Sequence, residues 1–296
     1  MDVGQPTLDQ LRIFLAVADE GSFNKAAHKL GRALSVVSYG VAALEGQLAV
    51  RLFDRQGSRR PQLTEAGRAL LVDARAITDD VDGLVSRARG ILQGLETEVA
   101  LAVDVMVPSR TVAGVLRDFQ HTFPTVNLRL HVEALGAVAA LVLDRRADLA
   151  VAGPDILDLP ELQRRALGTV ELVPVAAPSH PLAQRAHLAP GETSEHLQLV
   201  LTDRSPLTEG REFSVLSPRT WRLADLGAKH ALLLEGIGWG NMPRHAVAED
   251  IAAGRLIALC LPEAPRIDYR LNALWRKDSR PGPAAAWLLD ALIERC

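Results

Sequence analysis

The sequence predicts an α/β protein: a small N-terminal helical unit, one long amphipathic helix, and a larger domain in which strands alternate with helices. Three observations carry this. Between Leu8 and Leu48, apolar residues recur at helical spacing in three short runs separated by Gly21 and Gly31. From Leu70 to Ile91 the recurrence tightens to a strict seven-residue repeat. From Val99 onward, strand-like runs such as "VALAVDVMV" alternate with helical ones such as "SRTVAGVLRDFQHTF". With 296 residues and 48% apolar side chains, the chain is long enough for two or three compact units and can bury real cores.

Leu8, Leu11, Phe14, Leu15 and Ala18 give a first helix over about 8–20, ended by Gly21. The Ser22 hydroxyl can accept from the orphan amides of a second helix, Phe23 to Leu30. Gly31 then supplies a left-handed stop. A third helix over about 33–48 turns Val37, Val41, Leu44 and Leu48 inward. Helix, short glycine turn, helix is the helix-turn-helix arrangement. "RLFDR" and "PQL" flank the tip "QGSRR", which reads as a two-stranded wing.

Charge gives this unit a direction. The whole chain has a net charge of −3, which excludes a global attraction to polyanions. Between Lys25 and Arg60, however, seven cations (Lys25, Lys29, Arg32, Arg51, Arg55, Arg59, Arg60) stand against two anions (Glu45, Asp54), a local net of +5. One helix face would pack the core. The other would enter a major groove, with cations on phosphates and short polar side chains on bases. A trihelical domain with a merely solvated polar face has the same apolar pattern; the clustered cations favour DNA.

Leu70, Ile77, Leu84 and Ile91 lie seven apart, and Ala74, Val81 and Ala88 fill the alternate seam positions. Thr64 is the expected cap. About 30 residues would span roughly 45 Å. Such a stripe predicts pairing with a second helix, hence a dimer presenting two readers, although it also suits a helix packed on its own domain. "LETEV" marks a hinge. Beyond it, "VNLRLHVEA" alternates as a strand, "AVAALVLDRR" is a helix and "ADLAVAG" a buried strand. A second set follows in "ELVPVAAP", "LQLVLTD", "RTWRLA", the helix "DLGAKHALLLEG" and "HAVAEDIAAGRL". The expected sheet is mainly parallel.

Several function classes find no support. Two cysteines, Cys260 and Cys296, give neither a disulfide framework nor a metal spacing. There is no signal peptide at the start and no run near the roughly 18 apolar residues of a membrane helix, so a cytoplasmic protein without a membrane partner is expected. No dinucleotide, P-loop or zinc-protease motif occurs, and His180 has no nucleophile or carboxylate at motif spacing. Neither enzyme activity nor a cofactor or metal is expected.

The first 65 residues resemble the winged helix-turn-helix of a LysR-type transcriptional regulator, through "LDQLRIFLAVADEGSFNKAAHKL", "LE…LAVRLFDR" and "LTEAGRALL". "VAAPSHPLA" and "GIGWGNMPRHAV" resemble later signposts of the family's effector domain, which is similar to a periplasmic solute-binding protein. The resemblance covers essentially the whole chain. It implies a DNA-binding domain over 1–63, a linker and dimerisation helix over 64–94 seamed by Leu70, Ile77, Leu84 and Ile91, and an effector domain over 98–296. The effector domain would have two lobes, about 98–164 plus 267–296 and about 165–266, with an effector between them. Implied partners are double-stranded operator DNA, a small-molecule effector, further copies in a homodimer or homotetramer, and RNA polymerase. A DNA-binding architectural protein or a solute-binding module without an effector-driven switch is the competing reading.

The family's third helix usually opens with a hydroxyl, a glutamine and a proline; here those places hold Ala33, Leu34 and Ser35, and a frequent arginine is replaced by Tyr39. Leu34 offers only apolar contact, for example to a thymine methyl. The DNA-contact candidates are Lys25, Lys29, Arg32, Leu34, Ser35, Ser38 and Tyr39, with Arg55, Arg59 and Arg60 on phosphates. Four segments are expected to converge on the effector: "MVPSR" with Pro108, Ser109 and Arg110, Ser109 capping a helix; "ALGAV" with Gly136 and Ala137 at another helix start; "LTDRS" with Thr202, Asp203, Arg204 and Ser205; and "GIGWGNM" with Gly238, Trp239 and Asn241 beside Trp221. Ser109 with Arg110 or Arg204 suggests a carboxylate, and the tryptophans an aromatic or apolar part.

Overall fold

Glycines at the two predicted breaks divide the N-terminal unit into three helices in the computed structural model, which describes residues 4–54, 61–92, 94–154, 159–185, 187–263 and 267–296. Helix α1 (Leu8–Glu20) opens with a capping box: Thr7 accepts from the Gln10 amide, and the Gln10 side chain accepts from the Thr7 amide. Gly21 and Gly31 sit at φ 57° and 64°, a left-handed conformation that strains any residue with a Cβ. Helix α2 (Phe23–Leu30) is capped by Ser22, which accepts from the Lys25 amide. Helix α3 (Leu34–Leu48) has Ala33 at its cap and therefore no side-chain acceptor there. Strands β1 (Phe53–Asp54) and β2 (Gln62–Leu63) pair antiparallel.

Ile13, Phe14, Val17, Val37, Val41 and Leu44 close the core of this unit. Its tightest approach is at Gly40, where a Cβ would lie 2.6 Å from Ile13 Cδ1. Glycine thus sets how closely α3 packs on α1. Helix α4 (Glu65–Leu92) begins at Thr64, whose hydroxyl accepts from the Gly67 amide at 2.9 Å. Ala74 and Thr78 are buried, and ion pairs Arg75–Asp19 and Arg12–Asp82 tie α4 to α1. Leu70 packs partly against the core, whereas Ile77, Leu84 and Ile91 are 47%, 59% and 57% exposed.

The chain divides into two compact units, one to Arg89 and one from Gly90. The second is built on β3 (Glu98–Asp104), α5 (Ser109–Thr122), β4 (Asn127–Glu133), α6 (Gly136–Leu143) and β5 (Leu149–Ala152). The long strand β6 (Leu162–Ala176) leads to β7 (Gln198–Leu201), β8 (Thr220–Leu223), α7 (Leu226–Leu234), β9 (Trp239–Pro243), α8 (Arg244–Ala252) and β10 (Ile257–Ala258). The chain returns through β11 (Ile267–Arg276) and ends in α9 (Pro283–Arg295). Glu96, in the segment read as a hinge, accepts from the Ala284 and Ala285 amides and so caps α9.

The sheet order is β4-β3-β5-β11-β6-β9-β7-β8, with β10 on β6. It is mixed rather than mainly parallel. β3 pairs parallel with β4 and β5, and β7 with β8 and β9. Between these sets, β6 and β11 run antiparallel to each other and to the strands beside them. Helix-linked strands pair in parallel because a helix carries the chain back along the sheet. β6 and β11 instead carry it once from each half to the other, in opposite directions. This places the chemistry-bearing loops of both halves around the two crossing strands.

Candidate nucleic-acid face and effector cleft

The outer face of α3 is exposed over Leu34, Ser35, Ser38, Tyr39 and Ala42, while Val37, Gly40, Val41 and Leu44 are buried. The spacing that seats one stripe in the core leaves the other in solvent, so the two serines and Tyr39 share a face. Tyr39 is 76% exposed, too much for a core residue. Lys25, His28 and Lys29 are exposed on α2. Two of the predicted cations already have partners. Arg32 makes a bidentate pair with Asp9 of α1 (2.6 and 2.7 Å), and Lys29 pairs with Glu20 (2.8 Å). The guanidinium lowers the Asp9 pKa below the usual carboxylate range, mainly by hydrogen bonding. Arg32 therefore braces α1 against the α2–α3 turn. Arg55, Arg59 and Arg60 lie outside the described residues.

In the second unit the four predicted segments meet at one cavity through Met106, Leu135, Leu201 and Asn241, but most of the side chains singled out within them lie elsewhere. Ser109 is the first residue of α5 rather than its cap; Pro108 takes the cap position, and no side chain accepts there. Ser109 lines a depression of about 490 Å³ with Leu130, Val132, Asp225 and His230. Arg110 is exposed on α5. Thr202 and Arg204 line a different depression, of about 560 Å³, with Arg211, Glu212 and Arg222. Trp239 is wholly buried in an apolar cluster with Leu182, Leu188 and Leu261. Gly238, at φ 68°, has the Leu197 carbonyl 2.5 Å from where its Cβ would be, so it serves backbone packing. Trp221 is half exposed on the outermost strand β8. Neither tryptophan lines a described cavity.

The start of α6 is occupied by the chain itself. Asp203 accepts from the Ala137 amide at 3.0 Å and from the Thr208 hydroxyl at 2.5 Å. Gly136 leaves the space for this approach: its Cβ would lie 2.8 Å from Thr208 Cγ2 and 2.9 Å from Asp203 Oδ2. A carboxylate at a helix start is what the amide dipoles favour, and here the opposite half supplies it.

A further cavity between the halves, where the four segments meet, has a volume of about 300 Å³. Met106, Leu135 and Pro154 wall it on one side, Leu199, Lys229 and Asn241 on the other, and Tyr269 lies on the crossing strand β11. Beneath it, Asp104 is 1% exposed and accepts from the Met106 and Leu135 amides and the Tyr269 hydroxyl. Burial outweighs those three bonds and lifts the Asp104 pKa to about 6, while burial and the neighbouring carboxylate push Tyr269 upward. Leu135 has φ 50° and ψ −128°, a conformation that costs a leucine about 1–3 kcal/mol. Lys229 is 3% exposed, and desolvation lowers its pKa to about 8. Sequence reading missed Asp104, Lys229 and Tyr269. An aspartate closing an apolar strand, and a lysine in line with Leu226 and Leu233 on α7, were the available signals. Among the described residues there is no group of three or more metal-ligating side chains, and no helix is long and apolar enough to cross a membrane.

Two family models match the chain: the bacterial regulatory helix-turn-helix protein, lysR family, over residues 8–68, and the LysR substrate binding domain over residues 92–296. The probable HTH-type transcriptional regulator YhaJ of Escherichia coli K12 is 32% identical over 292 residues, 96% of this chain and 94% of that protein. The HTH-type transcriptional regulator AceR of Acinetobacter baumannii is 28% identical over 289 residues, 95% of each chain. Among solved structures, full-length LysG of Corynebacterium glutamicum with bound effector Arg aligns at TM-score 0.50 and 24% identity over 98% of this chain and 97% of that one. A Corynebacterium glutamicum OxyR mutant aligns at TM-score 0.52 and 22% identity over 98% and 92%. These two show the fold.

Proposed function

Since the chain belongs to the LysR family of DNA-binding, effector-controlled transcriptional regulators, we propose that the outer face of α3 reads its operator and that the cavity between the halves of residues 90–296 holds the effector. Ser35, Ser38 and Tyr39 read base edges, Leu34 adds apolar contact, and Lys25 and Lys29 hold phosphates together with Arg55, Arg59 and Arg60 of the wing. Arg32 acts mainly by bracing the reader through Asp9. The exposed stripe Ile77, Leu84 and Ile91 pairs two copies, so that two readers address two half-sites. The two halves act as lobes bounded near 164 and 267. The protein is cytoplasmic, catalyses no reaction and works on RNA polymerase through its position on DNA. The effector is a small molecule with an apolar part; its charge is taken up below.

The observation that carries this reading is the conjunction on α3 of a buried stripe fixed by Gly40 with an exposed face of hydroxyls. The test is selection of a binding sequence from a random duplex library, then anisotropy titrations of Ser38→Ala/Tyr39→Ala and Arg59→Ala/Arg60→Ala. The first pair is expected to lose about 5–150-fold on the selected site and little on random DNA. The second is expected to weaken binding to all sequences and flatten the salt dependence by about one to two units of slope. A Ser38→Ala/Tyr39→Ala protein that selects the same sequence with the same affinity removes α3 as the reader.

A further inference from the structure

An effector in this cavity needs something to recognise, and the anticipated anion sites are not there. The α6 amide is filled by Asp203, and Ser109 and Arg204 line other depressions. Lys229 is different. Arginine carries most of this chain's positive charge; only Lys25, Lys29, Lys229 and Lys277 are lysines, and Lys229 alone among them is buried. Its ammonium has three donors. One reaches the Asn241 carbonyl at 2.7 Å, and among the described residues no carboxylate pairs with it. That bond has a structural setting: Asn241 is registered with Pro174 on β6, while on the other side β7 and β9 share the single pair Gln198 with Trp239. Two donors remain.

Asn241 stands beside it, 7% exposed, with Oδ1 buried and unpartnered. A buried amide oxygen without a donor costs stability unless a ligand supplies one. The other polar groups of the wall are engaged or outside. Gln198 accepts from the Leu216 and Ser217 amides and donates to the Ser214 carbonyl. Glu212 is exposed and paired with Arg222, and Asp268 is exposed. The rest is apolar, including Met106, Leu172, Leu199 and Ile267.

Resting on the reading of this cavity as the effector site, we propose that Lys229 and Asn241 form its polar anchor and that the ligand is a 2-hydroxycarboxylate with an apolar or aromatic body. The carboxylate takes the two unused ammonium donors. The adjacent hydroxyl donates to Asn241 Oδ1 and satisfies it. A 2-amino acid fits less well, because its ammonium would lie beside that of Lys229. The remainder of the ligand is buried against Met106, Leu199 and Ile267.

Three probes separate these contacts on the full-length protein by calorimetry: mandelate, phenylacetate, which lacks the hydroxyl, and mandelamide, which lacks the charge. Wild type is expected to bind mandelate tightest, by about ten- to a hundredfold over mandelamide. Lys229→Gln, which keeps a donor for the Asn241 carbonyl, abolishes the mandelate–mandelamide difference. Asn241→Ala abolishes the mandelate–phenylacetate difference. Lys229→Met serves as a second variant, and a melting curve for each confirms folding. Mandelamide binding wild type as well as mandelate, or mandelate binding Lys229→Gln unchanged, overturns the anchor while leaving the cavity a ligand site. No heat with any probe also overturns it. The effector reading survives that result only if a thermal-shift panel of neutral and cationic metabolites yields another saturable ligand.

Discussion

Replacing Lys229 with methionine measures what the buried charge costs. The amine is pushed from 10.5 to about 8 by desolvation. Between those values the unfolded chain holds the proton and the folded chain does not. Stability therefore rises as pH increases from about 8 to 10.5, and the penalty is fully present below pH 8. At about 1.4 kcal/mol per pH unit, it amounts to about 3 kcal/mol. Methionine removes the titration but leaves the Asn241 carbonyl without its donor, at a cost of about 1–3 kcal/mol. At pH 7 the two effects nearly cancel; at pH 10.5 only the lost bond remains and the variant is the weaker protein. The quantity to measure is the difference in unfolding free energy between wild type and Lys229→Met at several pH values. All four tryptophans, Trp221, Trp239, Trp275 and Trp287, follow Gly90, so urea unfolding monitored by tryptophan fluorescence reports on this unit alone. Wild type is expected to gain about 3 kcal/mol on the variant between pH 7.5 and 10.5. Curves that stay parallel to within about 0.5 kcal/mol would show that the amine is not desolvated as the structure has it.

Gly40→Val places a branched side chain where a Cβ alone would be 2.6 Å from Ile13, so it should destabilise the N-terminal unit by about 1–3 kcal/mol in circular-dichroism melts and weaken DNA binding. Ile77→Asp with Leu84→Asp should leave the full chain monomeric by analytical ultracentrifugation, since ionised carboxylates in an apolar seam cost several kcal/mol; an unchanged mass moves the dimer contact elsewhere. Asp203→Ala strands the Ala137 amide and the Thr208 hydroxyl and should cost about 1–3 kcal/mol in tryptophan-monitored unfolding. Asp203→Asn should cost much less, because its oxygen still accepts from Ala137 while Thr208 turns to accept from its amide.

What was legible in the sequence was local. Ser22, Gly21 and Gly31 mark helix ends because a cap or a left-handed turn is decided by one or two residues. The heptad spacing was legible too, but Leu70 and Ala74 of the expected seam pack on their own unit, and Ile77, Leu84 and Ile91 are left exposed. The sheet was not legible. β5 and β6 both pair with β11, about a hundred residues on, and no local pattern records direction between strands so distant. The chemistry of the site was less legible than its place in the fold, for a related reason. Hydroxyls and tryptophans are common ligand groups, yet Pro108 holds the cap position before Ser109 and Trp239 fills a core. The decisive lysine was hidden by its type. Within "LGAKHALLL" it reads as the polar face of an amphipathic helix, although Leu226, Lys229 and Leu233 lie three and four apart and share the inward stripe.

Four energetically costly features of residues 90–296 gather around one cavity. Leu135 on its wall has a left-handed φ; beneath it Asp104 is buried with its pKa raised; across from it Lys229 is desolvated and Asn241 Oδ1 has no partner. Each carries a cost in the empty protein, although Asp104 also holds the Met106 and Leu135 amides and Lys229 the Asn241 carbonyl. Groups of this kind give a ligand its leverage. A molecule that neutralises Lys229 and satisfies Asn241 recovers free energy that the apolar core, already complete, cannot offer. It does so only in the arrangement that brings Met106 and Leu135 of one half against Asn241 and Lys229 of the other. Because a ligand shifts an equilibrium only by its differential affinity for the two arrangements, the half-satisfied polar pair is what would couple occupancy to the posture of the halves. Removing it with Lys229→Met/Asn241→Leu should therefore give a domain with a higher melting temperature when empty and no ligand-dependent change in DNA affinity. A double variant whose DNA affinity still responds to effector would place the coupling elsewhere in the molecule.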